Sequence, residues 1–108
     1  MNEQIINEQA KDEFGQFKDD VQLILRYAGE LITADRLKSY GAPDESFKRI
    51  AKLWGNLKGI EVQPREVALM MIMLKASRLM NNLDHTDSWA DIIGYAAIGS
   101  TLGEEDGI

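Results

Sequence analysis

Apolar residues recur along most of the chain at the three- and four-residue spacing of α-helices, and no segment alternates like a strand. Residues 1–17 are polar with a weak apolar repeat that Gly15 interrupts, which predicts a frayed or partner-dependent N-terminal helix. From Asp19 the repeat is regular and predicts a helix through about Leu37, with Gly41 as its left-handed cap. Alternatively, Thr33 caps a separate short turn.

Two prolines mark the starts of the next two helices. Pro43 opens one that carries a single apolar stripe and ends at Gly59. Its stripe consists of Phe47, Ile50, Ala51, Trp54 and Leu57. Pro64 opens another, to about residue 80, which is apolar on nearly every side between Val67 and Leu74. A helix that is apolar all round is typically buried, so we expect this one to be the central element.

The last helix is predicted from about Asp87 to Leu102, with Thr86 or Asp84 as its N-cap. Short connections between helices favour antiparallel neighbours. The pattern therefore predicts an all-α fold, a compact antiparallel bundle of four main helices with an additional N-terminal helix. We divide the chain into an N-terminal segment (1–17), a bundle domain (18–103) and a flexible tail (104–108).

Composition limits what this bundle can do. The 108 residues include no cysteine and one histidine, which excludes disulfides and thiolate chemistry and disfavours zinc. A net charge of −6 argues against binding a nucleic acid polymer. The N-terminus does not resemble a signal peptide, and the longest apolar run, 67–74, is too short to cross a membrane. We therefore expect a cytoplasmic protein without a membrane partner.

Two bases and two acids flank the predicted loop between the last two helices. Lys75 and Arg78 are three residues apart and Asp87 and Asp91 four apart, so each pair shares one helix face. If the helices are antiparallel, all four gather at one end of the bundle. Asp87 and Asp91 could then hold Mg²⁺ or Mn²⁺ while Lys75 and Arg78 bind phosphate. The four could equally form two salt bridges that only close the hairpin.

A second candidate site is the stretch from Asp35 to Ser46. Arg36 and Tyr40 precede a Gly-x-Pro turn, so a base could stack on the ring while the guanidinium binds phosphate. Turn formation alone also explains Gly41 and Pro43.

Three residue types outside these sites have structural interpretations. His85 is expected to cap a helix or to be exposed, with proton transfer beside Asp87 as the alternative. The methionines between Met70 and Met80 are interpreted as core filler, and Trp54 and Trp89 as core residues.

Several blocks in order resemble a family of small uncharacterised proteins of bacteriophages and prophages, over residues 33–102. The matching blocks are Asp35-Arg36 with Tyr40-Gly41, Phe47…Ile50-Ala51…Leu53-Trp54, Val67-Ala68-Leu69-Met70-Met71 with Lys75 and Arg78, and Asp87-Ser88…Asp91…Gly94-Tyr95-Ala96. This resemblance implies a phage origin, hence the cytoplasm of a bacterial host, and no established activity.

The chain is also similar, more weakly, to the all-α, MazG-like nucleoside triphosphate pyrophosphohydrolases. Those enzymes are oligomeric helical bundles that cut nucleotides with Mg²⁺, using a Glu-x-x-Glu and a Glu-x-x-Asp motif. Here the second motif reads Ser88-Trp89-Ala90-Asp91 and keeps only its Asp, while Lys75-x-x-Arg78 occupies the place of the first. The likeness implies a nucleotide substrate and a divalent metal.

Three functions follow as hypotheses. The first is a phage-encoded, metal-dependent nucleotide pyrophosphohydrolase. The second is a non-catalytic protein that sequesters a nucleotide or nucleotide-derived ligand with Lys75, Arg78, Arg36 and Tyr40. The third is an acidic inhibitor of a host enzyme. A bundle this small, with an amphipathic N-terminal segment, is also a candidate for a homodimer or a higher homo-oligomer.

Overall fold

The part of the chain that the structure describes folds into four α-helices and one π-helical segment. The computed structural model describes residues 3–35 and 41–103, with side chains over 13–33 and 41–103. The elements are α1 (Glu3–Glu30), the π segment (Leu31–Asp35), α2 (Pro43–Lys58), α3 (Pro64–Asn81) and α4 (Thr86–Thr101). No strand occurs in these two ranges. The predicted all-α bundle of four main helices is confirmed.

Helix α1 is longer than either of the two helices predicted for this part of the chain. It passes through Gly15 without a break and joins them into one helix. A single glycine costs a helix only about 1 kcal/mol relative to alanine, which the flanking turns can offset. At its C-terminal end the helix widens into the π segment, where the Thr33 hydroxyl donates to the carbonyl of Gly29 at 2.7 Å. Regular α-helix thus ends at Glu30, earlier than predicted, and Arg36 and Tyr40 lie outside the described residues.

Proline and glycine mark the boundaries of α2 and α3, as predicted, and a capping box adds to the start of α3. Pro43 and Pro64 each stand in the first turn of their helix. Gly59 ends α2 in the left-handed conformation, with φ of 69°. Gln63 and Glu66 form a reciprocal capping box at the start of α3, in which the Glu66 carboxylate accepts from the Gln63 N–H at 3.0 Å.

The helices pack in the order α1, α4, α3, α2, so α4 lies between α1 and α3. The largest contact is the α3–α4 hairpin, where a Cβ added at Gly99 would lie 3.0 Å from the Cβ of Ala68. The core cluster draws on three helices and the residue after α4: Phe47, Ala51, Val67, Ala68, Tyr95, Ile98 and Leu102. These contacts fix the relative positions of α2, α3 and α4.

Helix α3 is buried on one side only, so the prediction of an all-round buried element is wrong. Val67 and Ala68 lie in the core, but the opposite side is open. Exposed there are Leu69, Met70, Met73, Leu74 and Met80. Leu57 of α2 is also exposed, contrary to its predicted place on the apolar stripe. Despite these faces, no described helix combines the length and apolar character needed to cross a bilayer.

Candidate functional site

An ion pair joins the two helices of the α3–α4 hairpin. Lys75 lies late in α3 and Asp91 early in α4, so the antiparallel arrangement brings them together, with Nζ and Oδ2 3.1 Å apart. Their side chains are only 13% and 12% exposed. Salt screens such a sheltered pair less than a surface pair. Removing one partner leaves the other charge in a place where water solvates it poorly.

The other two predicted charges take different positions. The Asp87 carboxylate, exposed at the start of α4, accepts a hydrogen bond from the Tyr27 hydroxyl of α1, with Oη and Oδ1 2.8 Å apart. Arg78 is exposed and joins no ion pair within residues 41–103. The hairpin is therefore closed by one ion pair, and Asp87 connects it to α1. The sequence did not point to Tyr27, because its partner lies 60 residues away.

His85 is the N-cap of α4. Its Nδ1 accepts from the backbone N–H of Ser88 at 3.2 Å and lies 2.7 Å from the Ser88 hydroxyl oxygen. Accepting from the N–H requires the Nδ1 lone pair, so the ring proton belongs on Nε2. The expectation of a capping histidine is confirmed, whereas Thr86 and Asp84 are wrong as N-caps. Histidine is not among the residues that usually cap, which is why the spacing rule misplaced the cap.

Trp89 is not a core residue, contrary to the sequence interpretation. The residue is 47% exposed, and its indole N–H donates to the carbonyl of Leu83 at 2.8 Å. The side chain thereby folds back over the α3–α4 loop and satisfies a loop carbonyl. Trp54, by comparison, is half-buried against the core.

An apolar cleft of about 340 Å³ lies between α2, α3 and α4. Its lining is Gly41, Pro43, Ser46, Phe47, Ile50, Met71, Tyr95 and Ile98. The rings of Phe47 and Tyr95 stand in its wall, with centroids 6.1 Å apart and planes tilted by 32°. Gly41 places the cleft at the end of the stretch that contains Arg36 and Tyr40, two predicted ligand-binding residues outside the described ranges.

The apolar cleft and the ion pair share two helices. Met71 of the cleft precedes Lys75 by four residues on α3, and Tyr95 follows Asp91 by four residues on α4. Residues four apart lie on the same helix face, about 6 Å from each other. The cleft is thus flanked by a lysine and a carboxylate one turn away. Sequence reasoning identified the charged row and the Phe47–Ile50 stripe separately and did not combine them.

The chain belongs to the DUF6378 family, a domain of unknown function, whose model matches residues 22–103. It is similar to the Gene 55 protein of Mycobacterium phage L5, at 47% identity over 76 residues that cover 69% of this chain and 49% of that protein. The Gene 55 protein of Mycobacterium phage D29 is 39% identical over 82 residues, covering 76% of this chain and 54% of that protein. The chain thus spans about half the length of the curated relatives it matches. No solved structure matches it. The predicted membership in an uncharacterised phage protein family is confirmed.

Proposed function

We propose that this phage family protein binds a nucleotide or nucleotide-derived ligand at the apolar cleft and holds it intact. The observation that carries the proposal is the position of the cleft on the helix face that also carries Lys75, one turn from Met71, and the exposed Arg78, two turns from Met71. A nucleotide has one flat, weakly polar part and one anionic part, and this site offers a matching surface to each. Neither the family match nor the two relatives name such a ligand.

The base would occupy the cleft. A volume of about 340 Å³ lies at the lower end of small-molecule sites, so the cleft suits a base with part of its sugar and not a whole triphosphate. The Phe47 and Tyr95 rings form an aromatic wall, and Ser46 adds a hydroxyl at the rim. Aromatic faces bind bases by stacking, at about 1–3 kcal/mol for each base.

The phosphates would extend along α3. Lys75 is held by Asp91, so the pair is electrically neutral as a unit, and Arg78, one turn further and exposed, supplies the net positive charge. A guanidinium binds phosphate oxygens through two parallel N–H donors. Holding a ligand in this way requires no rearrangement of the Lys75–Asp91 pair.

Metal-dependent cutting is the second candidate, and the spacing of Asp87 and Asp91 one turn apart on α4 favours it. Two carboxylates, with waters and substrate oxygens, are sufficient for Mg²⁺ or Mn²⁺. In this function each carboxylate would bind the metal through an oxygen, while Lys75 lies against Oδ2 of Asp91 and Tyr27 donates to Oδ1 of Asp87. Among the described residues no third carboxylate or imidazole converges on them. Holding the ligand is therefore the simpler use of the geometry.

A panel of nucleotides distinguishes binding without cleavage from metal-dependent cleavage. The protein is incubated with the panel with and without Mg²⁺ or Mn²⁺, and each nucleotide and any pyrophosphate are quantified before and after desalting. Retention of one nucleotide class, intact and without metal, is the expected result. Metal-dependent release of pyrophosphate with monophosphate that is abolished in D91N would instead show that the protein hydrolyses the nucleotide.

Matched variants assign the site. M71W fills the cleft and R78A removes the exposed guanidinium, so each should weaken binding at least about tenfold, the equivalent of losing one stacking or charged contact. R65A removes an exposed arginine near the start of the same helix and should leave binding unchanged. The proposal fails if the unmodified protein retains no nucleotide either with or without metal. It also fails if R78A and R65A bind the nucleotide equally well.

A further inference from the structure

Helix α1 carries an apolar seam that continues from the bundle onto an exposed part of the helix. Phe14, Phe17, Val21, Ile24 and Ala28 are spaced by alternating steps of three and four, which is the a and d pattern of a coiled coil. Ala28, at the bundle end, is 1% exposed, and Ile24 is half-buried. Phe14 and Phe17, further along the seam, are 67% and 64% exposed.

The shape of the molecule agrees with a helix that extends away from the other three. The molecule measures 67 × 28 × 27 Å, and a helix of 28 residues spans about 42 Å at 1.5 Å per residue. On such a helix, Phe14, Phe17 and Val21 form a continuous apolar stripe that is exposed to water. Leu23 and Leu25, at positions c and e, are also exposed, but the aromatic side chains of this stretch lie at a and d, the spacing that fits another helix with the same pattern.

The charged residues beside the seam favour pairing with a second copy of α1 in the parallel orientation. With Phe14 at position a, Glu13 and Asp20 fall at position g, and Lys18 falls at position e. In a parallel pair of identical helices, position g of one faces position e of the next heptad on the other, so Glu13 of each copy meets Lys18 of its partner copy. In an antiparallel pair the g positions face each other, which would oppose Glu13 and Asp20 across the seam.

We propose that α1 pairs with α1 of a second copy of this chain as a parallel two-stranded coiled coil over residues 13–24. The seam buries Phe14, Phe17 and Val21 against their counterparts, and two symmetric Glu13–Lys18 pairs flank it. Parallel pairing places the two bundles at the same end of the coiled coil. The apolar clefts, on α2, α3 and α4, stay outside this interface.

Charge exchange in the full-length protein tests this pairing. Glu13 and Lys18 are five residues apart and do not face each other on one helix, so any coupling between them in the dimer is between copies. E13K or K18E alone should weaken the dimer by about fivefold to tenfold, since each variant converts two attractive pairs into repulsive ones. The double variant E13K/K18E should recover the original dissociation constant. D19K makes the same charge change as E13K at the outer position f and should dimerise like the unmodified protein.

Sedimentation equilibrium over a wide range of concentration measures these constants, and circular dichroism checks that each variant keeps its helix content. F17D, with a charge in the seam, should be a folded monomer. A monomeric unmodified protein, a trimer or larger assembly, or a failure of the double variant to recover dimerisation would each overturn the proposal.

Discussion

The hydroxyl of Tyr27 donates a hydrogen bond to the carboxylate of Asp87 across 2.8 Å, and this contact fastens α1 to the first turn of α4. The two residues are 60 positions apart, so the bond closes the chain over nearly the whole bundle. About two turns further along α4, Gly94 receives the side chain of Ile32, whose Cγ2 would lie 2.8 Å from an added Cβ. The polar contact holds α1 on α4, and the apolar contact holds the π segment that follows it.

Removing the hydroxyl tests the polar half of this attachment. Y27F should lower the free energy of unfolding by about 0.5–1.5 kcal/mol, because a partly exposed hydrogen bond is exchanged for one with water. Urea denaturation of Y27F, D87A and the double variant gives the coupling between the two side chains. If the two single losses are simply additive, the bond contributes nothing to stability.

The Lys75–Asp91 pair should behave as a sheltered ion pair. K75M leaves the Asp91 carboxylate without its lysine in a largely buried position and should cost about 1–3 kcal/mol, less than for a fully buried pair because both residues keep some contact with water. K75M/D91L removes both charges and should be more stable than K75M. Thermal and urea unfolding measure the stability of K75M and of K75M/D91L. If the double variant is no more stable than K75M, the Asp91 carboxylate without Lys75 carries no desolvation cost, and the account of a sheltered ion pair fails.

The histidine cap of α4 can be tested by exchange with an ordinary cap. H85A removes the acceptor for the Ser88 N–H and should destabilise the protein by about 0.5–2 kcal/mol. H85N keeps a side-chain oxygen at that position and should recover most of the loss. Equal stability of H85A and the unmodified protein, measured by urea denaturation, would show that water replaces the cap at no cost.

Glycine at position 55 is required by a close contact in the turn between α2 and α3. A Cβ added there would lie 2.6 Å from the backbone carbonyl oxygen of Ile60, which cannot rotate away as a side chain would. G55A should therefore cost about 1–3 kcal/mol, although alanine is the better helix former.

G15A is the matched control, because nothing lies within 4 Å of a Cβ at that position in α1. It should stabilise the protein by about 0.5–1 kcal/mol. Melting curves of the two variants should shift in opposite directions. A shift in the same direction would contradict the geometric account of Gly55.

Local signals accounted for most of the fold. Pro43, Gly59 and Pro64 act within one or two turns of themselves, and each marks a helix boundary as expected. Gly15 predicts a break between two helices, but a single glycine costs too little to interrupt α1, which is continuous from Glu3 to Glu30. The exposed side of α3 was missed because a run of apolar residues does not reveal how many neighbouring helices are available to cover it.

The candidate site was predictable only in part. Helical spacing placed Lys75 and Asp91 at the same end of the hairpin, and the structure brings them into contact. Spacing along one helix could not reveal Tyr27 as the partner of Asp87, since that depends on where α1 crosses α4. The apolar cleft was missed for the same reason, because its walls come from three helices.

The methionines of α3 differ in exposure, so their oxidation reports which surfaces of the protein are covered. Met73 and Met80 are 56% and 87% exposed, whereas Met71 is half-buried beside the apolar cleft. A thioether in water is oxidised readily to the sulfoxide, and one enclosed by neighbours is oxidised slowly. Brief peroxide treatment should therefore label Met80 first, then Met73, and Met71 last. Protection of Met73 and Met80 in an assembly would mark α3 as covered, and protection of Met71 by a small molecule would mark the cleft as filled.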